Sequence, residues 1–192
     1  MPNDDTQSHP PHETTTGSHR AFDGKMLHVR VDDVRLPSGR ESVREVVEHP
    51  GSAIIVPITA SGEVLMIEQY RHVIGKRLLE LPAGLVDPGE DALMAAGREL
   101  IEETGFSSDE ITPVASLYAS PGYTEEHATL YLARNCHPVT DHRPDPDEPL
   151  TVVPIPLAGI PDLLVPGANR VENAAAVIGL LWLLRRDLPS LG

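Results

Sequence analysis

Glu99, Glu102 and Glu103 stand within one helical turn of each other, directly behind Arg98, in the run GLVDPGEDALMAAGRELIEETGF from Gly84 to Phe106. Carboxylates three or four residues apart on one helix repel by about 0.2 to 0.5 kcal/mol per pair, so a helix that keeps them needs something to offset the charge. Oxygen ligands gathered in this way suit a hard cation such as Mg²⁺ or Mn²⁺, which retains water and shares its shell with substrate phosphates. A solvated acidic face would show the same residues, so the flanking sequence has to decide.

The elements around the cluster can be read from local chemistry. Pro82, Gly84, Pro88 and Gly89 predict a turn-rich loop, Asp91 is placed to cap a helix starting at Ala92, and Gly105 is placed to end it in a left-handed conformation. On a helical wheel Arg98, Glu99, Glu102 and Glu103 fall on one side, with Leu93, Ala96, Gly97, Leu100 and Thr104 opposite, flanked by Met94 and Ile101. The expectation is an amphipathic helix with an acidic outer face, entered by a loop whose backbone can approach a metal or a phosphate.

Gly84, Glu90, Arg98, Glu99, Leu100, Glu102, Glu103, Gly105 and Phe106 fill every fixed position of one longer pattern, without a gap. In this the chain resembles the Nudix hydrolases, whose signature is this box. Outside the box, Glu68-Gln69-Tyr70-Arg71, the run Leu79-Glu80-Leu81-Pro82-Ala83-Gly84, and Ser120-Pro121-Gly122-Tyr123-Thr124-Glu125-Glu126 are similar to the ADP-ribose pyrophosphatase branch. Pro121 lies sixteen residues after Gly105, where that branch carries its characteristic proline. The likeness runs from about Val43 to Ala133; beyond it, Pro149, Thr151 and the proline-spaced stretch Pro154 to Pro161 stand where similar proteins tend to carry further acids.

The resemblance implies hydrolysis of the pyrophosphate of ADP-ribose to AMP and ribose 5-phosphate, with Mg²⁺ or Mn²⁺ at two or more ions per site. It implies that Glu99 and Glu103 ligate metal with the backbone carbonyl of Ala83, that Glu102 bridges or binds a further ion, and that Arg98 orients the carboxylates with support from Glu90. Glu126 matches the loop glutamate that serves as general base in this branch, with Glu125 as its competitor. Arg71 is the candidate for the anionic substrate, because a guanidinium matches phosphate geometry; a salt bridge to Glu68 or Glu80 is the plainer alternative. Glu80 could accept ribose hydroxyls or pair with an arginine, and the resemblance implies that Pro121 and Gly122 are substrate-binding. Tyr123 could stack on a base or cap a turn. Arg30, Arg35, Arg40 and Arg44 are candidates for an adenine pocket shared between subunits, and none is assigned. Other nucleotide-sugar pyrophosphatases, of GDP-mannose or ADP-glucose type, would use the same helix, and a sensor that binds ADP-ribose without cleaving it is the rival from another class.

Composition bounds these readings. The chain has 192 residues, 40% of them hydrophobic, enough for one domain with appendages. A formal charge of −14 offers no basic stripe for nucleic acid or anionic lipid, so an anionic substrate must find its positive charge locally. The single cysteine, Cys136, excludes an internal disulfide framework and is expected to be a small buried side chain. Residues 1–24 carry no apolar run and no signal-peptide pattern; they are expected to be a disordered tail, with His9, His12 and His19 solvated, and a cytoplasmic protein is expected. Ala174 to Leu184 is too short to span a membrane and reads as a docked terminal helix.

The rest reads mostly as strands. Leu27, Val29 and Val31 alternate with polar residues, and Val43 to Val47 follows a Ser38-Gly39 turn, so residues 25–50 are expected to form a small N-terminal sheet. Ala53 to Ile58 and Val64 to Gln69 form a hairpin about Ser61-Gly62; Leu117, Thr129 to Ala133 and Leu150 to Ile155 supply later strands, and His137 to Pro149 reads as a surface loop. The expected class is α+β: residues 51–192 as a Nudix-like α/β/α sandwich with a mixed sheet, plus the N-terminal antiparallel sheet, which in similar proteins builds a homodimer.

Overall fold

The computed structural model describes residues 12–140, 142, 149–165 and 171–186. The described chain separates into two units: the residues up to His49 together with Ser120–Glu126, and Pro50–Ala119 together with the residues from His127 onward.

In the first unit β1 (Thr14–Asp23), β2 (His28–Arg35) and β3 (Glu41–Glu48) form a three-stranded antiparallel sheet in that order. The N-terminal sheet is therefore present, but it begins earlier than expected. Thr14 to Asp23 is strand rather than disordered tail, because a threonine-rich segment suits a pleated edge and its backbone finds a ladder on β2. Its side chains are almost all exposed, so no apolar alternation announced it. The remainder of the expected tail, residues 1–11 with His9, lies outside the described residues.

The second unit holds β4 (Ser52–Thr59), β5 (Glu63–Arg71), β6 (Lys76–Glu80), β7 (Ala83–Leu85), α1 (Ala92–Thr104), β8 (Phe106–Ser107), β9 (Glu110–Tyr118), β10 (His127–Pro138), β11 (Thr151–Pro156), α2 (Ile160–Leu163) and α3 (Ala174–Arg186). The sheet path is β11-β5-β4-β10-β8, with β6 paired to β5, β7 to β4 and β9 to β10. The sheet is mixed: β4 and β10 run parallel, and the other pairings are antiparallel. β11 carries Pro154 and Pro156 and lies at the edge of the path, where a missing N–H is tolerated. The expected loop from His137 to Pro149 opens with strand residues His137 and Pro138, and most of its remainder lies outside the described residues.

Strand periodicity explains the layering. Along β4, Ile54 and Val56 face one way with Val64, Met66, Leu130 and Leu132, and they pack with Ile160, Ala176, Leu180 and Leu183 of α2 and α3. Ala53 and Ile55 face the other way with Leu65, Tyr131 and Ala133, and they pack with Ala95, Ala96 and Leu100 of α1. A sheet apolar on both faces needs a helical layer on each, which gives the α/β/α sandwich expected of the α+β class. Helix α3 sits close because Gly179 has no side chain: a Cβ there would lie 2.5 Å from Leu81 Cδ1. Among the described residues, no helix is long and apolar enough to cross a membrane. Cys136 is buried, and burial pushes its thiol up to about 11, the behaviour of a packing residue.

Candidate active site

The acidic helix and the loop before it are both referenced to β4. The Ile55 N–H donates to the Pro82 carbonyl at 2.9 Å, and Ala83–Leu85 pairs antiparallel with Ser52–Ile54. Alanines 95 and 96 and Leu100 pack α1 onto the face that Ala53 and Ile55 present. The helix begins where Asp91 accepts from the Leu93 N–H at 2.8 Å and ends at Gly105, with φ of 74° and its N–H on the Ile101 carbonyl. Both caps match the sequence reading.

The orientation of the helix corrects that reading. Glu99 and Glu103 do not lie on an outer face: they are 9% and 8% exposed and share the buried arc with Ala95, Ala96, Leu100 and Thr104. Leu93, Met94 and Ile101, placed by the wheel on or beside the inner side, are exposed. With Gly97 and Ile111 they line a groove of about 700 Å³ that is also lined by Glu90, Arg98 and Glu102. Two carboxylates can be buried only with partners; for Glu103 the partner is backbone outside the helix, and for Glu99 it is Arg98 of the same helix.

Glu103 Oε2 accepts from the Ala83 N–H at 2.8 Å. Glu99 lies against the backbone of Gly84, where an added Cβ would fall 2.0 Å from Glu99 Oε1. Arg98 closes the group. Its Nη1 donates to Glu99 Oε1 at 2.6 Å and Glu102 Oε2 at 3.0 Å; Nε and Nη2 donate to the two oxygens of Glu90 at 3.1 and 2.9 Å, and Nη2 also reaches the Leu85 carbonyl at 2.9 Å. Glu90 thereby holds a bidentate contact, the strong form of a charge-assisted pair, and its carboxyl sits below the ordinary range because of Arg98 and then the Asp87 N–H. The same glutamate, with smaller contributions from Glu99 and Glu102, raises the Arg98 guanidinium further above its ordinary value.

One guanidinium thus faces three carboxylates, with a fourth on the adjoining loop backbone. The four carboxylates outnumber the single arginine, and all their donors are oxygens, the chemistry a hard divalent cation satisfies. In the described geometry the three helix glutamates do not converge: among the described residues, no three acidic, histidine or cysteine side chains are gathered closely enough to hold a metal. Glu99 and Glu102 turn to Arg98 and Glu103 to Ala83, and Glu102 is the exposed member, at 57% for its side chain.

The remaining candidates fall elsewhere. Arg71 at the end of β5 donates through Nε and Nη2 to both oxygens of Glu80, at 3.0 and 2.7 Å, and Glu80 is 2% exposed. Of the pairings open in the sequence, the Glu80 bridge is the one formed; Glu68 is taken by Arg77 at 2.7 Å. Both Glu80 oxygens are engaged, which makes this residue the anchor of Arg71. Pro121, Gly122, Glu125 and Glu126 belong to the first unit, where Glu125 receives Arg30 Nη2 at 2.7 Å. That pairing was missed, because its partners lie 95 residues apart and Arg30 sits in a strand with no local motif.

A model of the NUDIX domain matches residues 48–170, and one of the nucleoside diphosphate sugar hydrolase N-terminal domain matches residues 13–47. The chain is 35% identical over 146 residues to an ADP-ribose pyrophosphatase of Bacillus subtilis (strain 168), covering 76% of this chain and 79% of the relative. It is 36% identical over 171 residues to an ADP-ribose pyrophosphatase of Mycobacterium tuberculosis (strain ATCC 25618 / H37Rv), covering 87% and 81%. Among solved structures, the crystal structure of an ADP compounds hydrolase aligns with a TM-score of 0.78 and 28% identity, over 92% of this chain and 97% of that one.

Proposed function

The chain belongs to the Nudix family, and on that premise we propose that it hydrolyses the pyrophosphate of ADP-ribose to AMP and ribose 5-phosphate with divalent metal ions. The observation that carries the reading is the complete box built around α1, with Glu99 and Glu103 buried against the backbone of Gly84 and Ala83 and Glu99 tied to Glu90 and Glu102 through Arg98. The similarity to two ADP-ribose pyrophosphatases over most of the chain supports the substrate.

Residues Glu99 and Glu103 with the Ala83 carbonyl would hold Mg²⁺ or Mn²⁺, and Glu102, the exposed carboxylate, would complete the set for a second or further ion. Bound divalent cations supply a water of lowered pKa and charge neutralisation at the phosphoryl oxygens. Everything else falls to the chain. Arg98 fixes the carboxylates so that they need no rearrangement when charge develops on the substrate. Glu126 accepts the proton of the attacking water on a carboxylate oxygen. Arg71, held in its rotamer by Glu80, binds the anionic substrate, and Pro121 and Gly122 shape the loop beside the base. The protein acts as a homodimer in the cytoplasm, on a nucleoside diphosphate substrate rather than on nucleic acid or a membrane.

Two measurements test this. Glu103→Gln should lower kcat by about 100-fold or more, and Glu126→Gln should do likewise. Near-normal turnover by Glu126→Gln beside an inactive Glu103→Gln would remove Glu126 as base. A nucleotide sugar of GDP-mannose or ADP-glucose type is the competing substrate, and the match of residues 13–47 to a nucleoside diphosphate sugar hydrolase segment is compatible with either. Side-by-side kcat/KM values decide between them.

A further inference from the structure

Ser120–Glu126 lies in the sequence between β9 and β10, yet it packs as part of the N-terminal unit. The Val47 N–H at the end of β3 donates to the Tyr123 carbonyl at 2.8 Å, and the Glu125 N–H returns a bond to the Val47 carbonyl at 3.1 Å. Val47 and Thr124 are paired in parallel, so the loop extends the three-stranded sheet beyond β3. Its turn is closed by the Tyr123 and Thr124 N–H groups, both on the Ser120 carbonyl at 3.1 Å, and the Glu126 N–H donates to Thr124 Oγ1 at 3.2 Å.

Arg30 of β2 secures this arrangement from the side. Its Nε donates to both oxygens of Asp32 at 3.2 and 3.1 Å, Nη1 reaches Glu48 at 3.4 Å, and Nη2 donates to Glu125 Oε1 at 2.7 Å. The partners are themselves fixed: Ser18 of β1 donates to Asp32 Oδ1 at 2.6 Å, and Arg20 pairs with Glu48. The Arg30 side chain is only 27% exposed, and Glu125 is the first of the contacts that raise its guanidinium. A preoriented fork with several charge-assisted bonds transmits position better than a lone surface pair.

We propose that Arg30 is a positioning residue: through Glu125 it sets the geometry of the loop Ser120–Glu126, and so of Glu126. This rests on the reading of Glu126 as general base, and it gives Glu125 the distinct task of anchor.

The test compares Arg30→Ala, Arg30→Lys, Glu125→Gln and the double variant Arg30→Ala/Glu125→Gln on ADP-ribose with Mg²⁺, with hydrogen exchange measured at the Val47 and Glu125 amides. A displacement of about 1 Å can cost up to about 100-fold, so Arg30→Ala should lower kcat by about 10- to 100-fold with KM within about threefold. Glu125→Gln should match it, the double variant should be no worse than either single, and both amides should exchange faster. Arg30→Lys should recover part of kcat, since it keeps a charge but loses the fork. Singles within twofold of the parent, effects that multiply in the double variant, or unchanged exchange would overturn the proposal. Should Arg30→Ala fail to fold, Glu125→Gln, which keeps size and shape, carries the same comparison. Reduced kcat in Glu125→Gln alongside a fully active Glu126→Gln would make Glu125 the base and overturn the proposal, whereas an inactive Glu126→Gln beside an Arg30→Ala within twofold of the parent would keep the base and refute the positioning.

Discussion

At Gly84 the site leaves no room for a side chain, and this follows from distance rather than from backbone conformation. A Cβ would fall 2.0 Å from Glu99 Oε1 and 2.1 Å from its carboxyl carbon, so the carboxylate would have to leave its place. Gly84→Ala should therefore lower kcat by about tenfold or more, a misplacement effect, while moving stability by about 1 to 3 kcal/mol. Steady-state kinetics at saturating metal beside a urea melt will separate the two, and a kcat near that of the parent would mean that this placement of Glu99 is dispensable. Glu90 makes a prediction about pH. Arg98 holds its carboxyl below the ordinary value of 4.5, so its contribution to stability is complete above that value and fades as pH falls through the lower folded-state value. In thermal melts, the gap between parent and Glu90→Gln should be constant above about pH 4.5 and narrow below it. A gap that widens on acidification would contradict the assignment.

Helix α1 shows how far local chemistry carries and where it stops. Asp91 and Gly105 were legible as caps because capping depends on residues one or two positions away. The buried face was not legible. Charged residues on a wheel are assigned outward by default, and the reasons that Glu99 and Glu103 turn inward are the bare backbone of Gly84 and the Ala83 N–H, both on another element. β1 was missed for the opposite reason, since an exposed edge strand needs only a backbone ladder and leaves no apolar trace. Leu100 is what ties α1 to the sheet, fully buried among Ala53, Ile55 and Tyr131. Leu100→Ala should cost about 2 to 5 kcal/mol in chemical denaturation, and a loss under about 1 kcal/mol would show that the helix is held mainly by its polar contacts.

Across the whole molecule, the layered sandwich was legible through the resemblance carried by the box, and its physical reason is that β4, β5 and β10 are apolar on both faces, which calls for a helical layer on each. The joining of Ser120–Glu126 to the N-terminal unit was not, since it depends on Val47 and Arg30, far away in sequence and without a motif. The charge balance bears on function at this scale. A chain of formal charge −14 that acts on an anionic pyrophosphate has to bring cations to it, since Arg98 is already bound to Glu90, Glu99 and Glu102 and the single charge of Arg71, shared with Glu80, does not balance a pyrophosphate. Turnover should therefore require a divalent metal, and incubating the purified protein with ADP-ribose, with and without Mg²⁺, and resolving the products by chromatography tests it. AMP and ribose 5-phosphate appearing together only when Mg²⁺ is present is the predicted result; intact ADP-ribose with either Mg²⁺ or Mn²⁺, or cleavage indifferent to chelation, would contradict it.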